Sequence, residues 1–158
     1  MTEGLPQTFT TSRFGTIPVS ENRVISFPDG VLGFPGAHRF ILLETAENGV
    51  FFWLQSLDDP TLAFVVIDPE LLVKDYRKTF ILSEWDQDFF SPATLSDLSA
   101  MVIVTFLGGS EKEVTANLQG PLLVRESDRR GRQVVIPEAD GWLRTPVFGP
   151  EKKMQDSL

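Results

Sequence analysis

Two apolar runs around a carboxylate-bearing turn constrain this chain more than any other feature. Val50–Leu54 and Leu62–Ile67 have the length of strands and are rich in aromatic and β-branched residues. Ser56 to Pro60 separates them with turn formers, and Asp58 and Asp59 fall at the tip. The pair reads as a β-hairpin or two adjacent strands, and it makes the chain strand-dominated.

The rest of the sequence follows the same grammar. Residues 1–10 show no period and are expected to be loose. Phe14–Val19 and Arg23–Phe27 read as short strands joined by a polar turn at Ser20–Asn22, and Arg39–Glu44 as another ending at Asn48-Gly49. Pro28-Asp-Gly30 and Gly33-Phe-Pro-Gly36 frame a compact loop. Asp68-Pro69 opens a short helical turn, because aspartate caps and proline suits the first helical position. Tyr76–Leu82 reads as a strand. Ser83 caps a brief helix with acids in its first turn, and Ser91-Pro92 starts a second one reaching Leu98. Ala100–Leu107 is a nearly continuous apolar run, as in a strand buried on both faces. Gly108–Glu113 reads as an exposed loop. Val114–Leu118, Pro121–Arg125 and Gln133–Ile136 read as strands, the last entered through the basic turn Ser127–Arg132. Many short strands at close spacing predict a mainly β, single-domain, barrel-like fold with a few short helices, since closure removes exposed strand edges. The expected organisation is a flexible 1–10, a β domain over 11–138 and a tail over 139–158.

The chain's 158 residues suffice for a real core, and its lack of cysteine excludes a disulfide scaffold and a thiolate metal site. A reducing compartment fits that composition. Met1-Thr-Glu-Gly4 does not open a signal peptide, and no apolar stretch has spanning length, so a cytoplasmic, membrane-free protein is expected. The formal net charge is -8, and Asp58–Asp97 is its acidic centre. Such a segment repels nucleic acid and attracts basic proteins. It is equally what a solvated, solubilising face looks like.

Few residues offer chemistry. His38 is the one histidine, so histidine-pair zinc sites are unavailable and a Ser-His-Asp triad is unsupported. Asp58 and Asp59 contain the carboxylates a small hydrolase would need, but adjacent turn residues point apart, and turn formation explains them better. Gly108-Gly109-Ser110 lacks the lysine and helix of a phosphate loop. Arg125, Arg129, Arg130 and Arg132 interleave with Glu126 and Asp128 without stacking rings nearby, which reads as a solvated hairpin turn and not a single-strand nucleic-acid groove. Trp53 and Phe64 are expected in the core. Trp85 and Phe89-Phe90 lie among acids, as in a protein-binding patch or in ordinary packing. No cofactor and no metal are expected.

A series of short motifs narrows this. They are Phe14-Gly15, Ile25-Ser-Phe-Pro-Asp-Gly-Val-Leu-Gly-Phe34, Phe40-Ile-Leu-Leu43, Phe52-Trp-Leu-Gln-Ser56, Asp59-Pro60, Leu62-Ala-Phe-Val-Val66, Asp68-Pro69, Val114-Thr-Ala-Asn-Leu118, Gly120-Pro121 and Gly131-Arg-Gln-Val-Val135. In this order the chain resembles the flagellar assembly factor FliW family over about residues 11–138. The resemblance implies a non-enzymatic protein with two protein partners, and a chain that is monomeric when free and makes no direct nucleic-acid contact is expected. One partner is flagellin. The other is CsrA, a small basic dimer that represses translation of flagellin messenger RNA, and that the family antagonises. Gln55, Ser56, Asp58, Asp59, Asp68 and Asn117 are the partner-binding residues this suggests. A small hydrolase using Asp58/Asp59, and a β-barrel module for an unrelated basic protein, remain the alternatives.

Overall fold

The computed structural model describes residues 7–44, 50–106, 114–136 and 143–147. Eleven strands carry the fold: β1 Gln7–Thr11, β2 Gly15–Val19, β3 Ile25–Ser26, β4 Arg39–Glu44, β5 Phe51–Ser56, β6 Ala63–Ile67, β7 Leu98–Phe106, β8 Val114–Ala116, β9 Leu122–Arg125, β10 Arg130–Gln133 and β11 Thr145–Pro146. The one α-helix among the described residues, α1, spans Glu84–Phe90. The rest of the helical structure is single 3₁₀ turns.

Strands β3, β4, β5, β6, β7, β9 and β10 form a closed ring. The closure depends on the length of β7. Its Leu98–Met101 half pairs with β9, and its Val104–Phe106 half pairs with β8 along the same edge. The seam between β10 and β3 is narrow, a single parallel pair at Arg130 and Ser26. The alternation of strand side chains sends Phe40, Leu54, Val66, Met101 and Val124 inward to one core with Ile25 and Phe27. Gly131 lets β10 approach that core, because a Cβ there would stand 2.7 Å from the Phe27 ring.

The outer face of β4 and β5 is covered by the β1–β2 hairpin, whose Ile17 and Val19 pack with Ile41, Leu57 and half-buried Phe9. This corrects the expectation for residues 7–10: Gln7–Thr10 belong to a strand, and Ser12 N donates to Pro60 O at 2.9 Å. It also explains why β2 pairs with β1 and not with the next strand. Further apolar clusters lie under the β6–β7 connection, one centred on Tyr76, Val102 and Leu118, the other on Phe90, Leu98 and Leu123.

The fold is mainly β and barrel-like as expected, and the β5–β6 hairpin, β4, the Asp68-capped turn and the Ser83-capped helix are where the sequence placed them. Other elements differ. Tyr76–Leu82 is not a strand: Tyr76–Lys78 is a 3₁₀ turn, entered through Asp75 in the left-handed region at φ 57°. Tyr76 is fully buried and its hydroxyl donates to Leu118 O, so tertiary packing overrides strand propensity. In place of a helix from Ser91, Leu95–Asp97 makes one 3₁₀ turn closed by a Thr94–Asp97 capping box. Strand β10 starts at Arg130 and not Gln133, and β3 shrinks to Ile25–Ser26 because Glu21–Arg23 is a 3₁₀ turn. The apolar run in β7 is buried at Met101, Val102 and Val104, but Phe106 is exposed. Neither Trp53 nor Phe64 is fully buried. Phe64 packs edge-on to Phe34 against the barrel core, whereas Trp53 lies on the outer face between the Phe14 ring and the Arg13 guanidinium. Asn48-Gly49, the loop Gly108–Glu113 and most of the tail lie outside the described residues.

Candidate functional site

The β5–β6 tip is built from side chains that satisfy backbone groups. Ser56 Oγ accepts from Asp58 N at 3.0 Å and Asp59 N at 2.9 Å. Asp58 Oδ2 accepts from His38 N at 2.7 Å and Arg39 N at 2.9 Å. Asp59 Oδ1 accepts from the Thr61 hydroxyl at 2.7 Å and Thr61 N at 2.9 Å. These two bonds, the hydroxyl first, hold the Asp59 carboxyl below its ordinary range. Gln55 is fully buried, and its Nε2 donates to Ser56 O and Leu62 O.

Gln55 and Ser56 therefore act on the turn from inside and present no side-chain surface to a partner. Asp58 and Asp59 are exposed and adjacent, but each has one oxygen committed to a different backbone segment. Asp68 lies at the opposite end of β6, exposed, its Oδ1 accepting from Glu70 N at 2.9 Å. Asn117 is half-buried after β8, and its Oδ1 accepts from Gln119 N. The six suggested residues thus do not form one surface. His38 is also structural in its contacts: Nδ1 sits 3.1 Å from Phe27 O.

The second acidic region, α1, is arranged differently. Ser83 Oγ caps it by accepting from Asp86 N at 3.2 Å, and buried Phe90 anchors its far end. The anchoring cations come from the basic cluster. Arg125 donates to Phe90 O and Ser91 O at 2.9 Å each, and pairs bidentately with Asp128 at 3.0 and 2.7 Å. That pair lowers the Asp128 pKa and raises that of Arg125. Arg132 reaches Asp29 at 3.3 Å, Asp86 at 3.4 Å and Trp85 O at 3.3 Å, and both Arg130 and Arg132 stand over the Phe89 ring. These arginines are a clamp on α1, not the solvated turn the sequence suggested. Their alternation with acids was visible in the sequence, but the partners lie 34–47 residues away.

The clamp leaves an apolar group outside. Trp85 is 80% exposed and Ile81 90% exposed, beside exposed Glu84 and Asp88. Leu32 is 65% exposed on the 27–38 loop, and its N–H is tied to Gln133 Oε1 at 2.8 Å. Arg132 through Asp29, and Asp58 through His38 and Arg39, connect this loop to both acidic regions. Exposed aromatic and aliphatic side chains, with exposed carboxylates flanking Trp85 on α1, suit protein recognition. Among the described residues, no group of three or more acids or histidines is placed to hold a metal ion. Among them, no helix is long and apolar enough to cross a membrane.

Comparison with known proteins decides the family. A model of the family described as FliW protein matches residues 8–147. The chain belongs to the FliW family. The flagellar assembly factor FliW of Leptospira interrogans serovar copenhageni is 36% identical over 138 residues, covering 87% of this chain and 91% of that protein. The Bdellovibrio bacteriovorus flagellar assembly factor FliW is 33% identical over 138 residues, covering 87% of this chain and 77% of that protein. A crystal structure of the flagellar assembly factor FliW superposes with a TM-score of 0.78 at 27% identity, covering 92% of this chain and 99% of that one. The match begins at residue 8 and ends at 147, so it includes β11 and nearly all of β1.

Proposed function

We propose that this FliW-family chain is a non-enzymatic, cytoplasmic flagellar assembly factor that binds flagellin and antagonises CsrA. Family membership is the observation that carries this reading. The surface gives it physical support. Trp85 and Leu32 are exposed apolar side chains, and the exposed carboxylates of Glu84 and Asp88 on α1 give Trp85 a negative rim. A basic RNA-binding dimer is attracted by that rim, and an acidic protein docked beside an RNA surface repels phosphate. The carboxylates at the β5–β6 tip are structural acceptors in separate bonds, and that favours binding over hydrolysis.

In this reading Asp58 and Asp59 tune association rate and salt dependence, whereas the aromatic centre sets complex lifetime. The direct test mixes the pure protein with CsrA and with flagellin, separately and then together, and sizes the products. Two distinct binary complexes are expected, with flagellin displacing CsrA. No complex with either partner refutes the proposal.

A further inference from the structure

The two ends of the barrel are filled unequally. At one end Phe27, Phe34, Phe40 and Phe64 pack ring against ring and close the interior. At the other a cleft of about 370 Å³ enters between the strands. Its walls are side chains of the barrel's own core, chiefly Leu42, Phe52, Val66, Met101 and Val124. Leu42 and Phe52 pack against that core and are nevertheless only half-buried, because the cleft reaches them. Water in the cleft lies against apolar surface, and the apolar part of a ligand would release it.

The rim is polar and carries more acid than base. Asp68, Glu70 and Glu126 stand against Arg77 and Arg129, one negative charge in excess. Four of these five groups are matched within the protein. Arg77 Nε lies 3.6 Å from Glu70, and Arg129 Nη1 lies 3.7 Å from Glu126. Glu70 also accepts from Tyr76 N and Arg77 N, Glu126 accepts from the Ser99 hydroxyl, and Arg77 donates to Leu98 O. Asp68 is the exception. It is exposed, it pairs with no cation among the described residues, and only its Oδ1 is committed, to Glu70 N at 2.9 Å. Glu44, opposite Phe52 at the same end of the β4–β5 ladder, is exposed too and pairs with no cation among the described residues. The order of these groups along the entry path selects the occupant. Apolar walls lie within and the unmatched acid lies at the mouth, so a ligand enters apolar end first and leaves a cation outside. A lysine side chain has the reverse order and would carry its ammonium into the apolar walls, at a large desolvation cost.

We infer that the open barrel mouth binds a primary aliphatic amine, its chain among Leu42, Phe52 and Met101 and its ammonium on Asp68. Apolar burial supplies most of the affinity. The exposed ion pair adds a smaller, salt-sensitive share that fixes the polarity of the ligand. The net charge of -8 on the chain works in the same direction. Trp85 is not part of the cleft, and the inference does not rest on the partner reading.

The probe is hexylamine at neutral pH, with butylamine, hexanol and hexanoate as comparisons. The signal is the Met101 methyl resonance in the full chain, so the parent protein alone gives a result. Hexylamine is expected to shift it saturably, and butylamine, shorter by a pair of methylenes, to bind roughly fifteenfold more weakly. At low salt hexylamine should bind about three- to fivefold more tightly than hexanol, and hexanoate more weakly than either. At about 1 M salt the amine and the alcohol should converge. Asp68→Asn keeps the cap on the following turn, because asparagine caps as well as aspartate. It should remove the amine's advantage and leave hexanol unchanged. If its melt is lowered, Asp68→Ser, with another capping side chain, replaces it. An unmoved Met101 signal overturns the inference. So does hexanol binding as tightly as hexylamine at low salt, or a preference for the amine that is indifferent to the Asp68 substitution.

Discussion

The β5–β6 tip and helix α1 are both acidic, both exposed and both part of the same negatively charged stretch, yet they use their carboxylates in opposite ways. At the tip the acids turn back on the chain: Asp58 holds His38 N and Arg39 N, and Asp59 holds Thr61. At α1 the helix is held by arginines from β9 and β10, leaving Glu84, Asp88 and Trp85 facing outward. The lesson is that a carboxylate's position in a charged run says little about its role. Where a backbone N–H needs an acceptor, the acid is part of the scaffold. Where another group meets that need, the acid is available to a partner.

The largest effect expected lies under α1. Phe90→Ala should cost about 3–5 kcal/mol in urea unfolding, because a fully buried ring is removed from beneath the clamp. A cost below about 1 kcal/mol would mean that α1 is not anchored through its far end. Next comes the tip. Asp58→Ala should cost about 2–3 kcal/mol, since two backbone donors lose a charged acceptor. The same truncation of outward-facing Asp88 should stay within about 0.5 kcal/mol. Equal costs would erase the contrast between the two regions. Trp53→Ala, on the outer face and half-buried, should fall between them at about 2 kcal/mol.

The smallest effects are those of pH. Asp59, Asp97 and Asp128 are all lowered by hydrogen bonds made in the fold, from Thr61, Thr94 and Arg125 respectively. A lowered folded pKa means that the unfolded chain takes up the proton first as pH falls. Their contribution is therefore present above the ordinary aspartate range and lost on acidification through the depressed values. Asp59→Asn should flatten that acid limb slightly, as read by unfolding free energy against pH. Tyr76 works from the other side. Burial first, then the charge on Glu70, raise its pKa above the model-compound value of 10.0, so the unfolded state ionises first and stability falls above about pH 10. Tyr76→Phe should remove that alkaline loss, as read by unfolding free energy against pH.

The comparison also explains what the sequence could and could not convey. The tip was legible because its logic is local: Ser56, Asp58, Asp59 and Pro60 make a turn within a few residues. The same holds for the Asp68 and Ser83 caps. The α1 clamp was not legible, because Arg125, Arg130 and Arg132 find their partners across the fold, and in sequence they look like a solvated basic turn. Tyr76 failed for the same reason, its hydroxyl being held by Leu118 at a separation of 42 residues. The burial of Gln55 was hidden too, since nothing in a polar residue at a strand end announces that it will share the outer face with Ile41, where the β1–β2 hairpin packs. Charge density located the acidic region but could not separate carboxylates that brace the backbone from those that face outward.

The central claim is that this FliW-family chain meets a basic partner through the outward-facing acidic and aromatic surface at α1. It is tested most directly by titrating CsrA against three proteins in calorimetry: the parent, Trp85→Ala and Asp88→Ala, each first shown to melt like the parent. The account predicts that Trp85→Ala weakens CsrA binding at least about tenfold, the scale of a buried aromatic anchor, and that Asp88→Ala changes it only slightly at high salt. Trp85→Ala binding CsrA with the parent's affinity would contradict it.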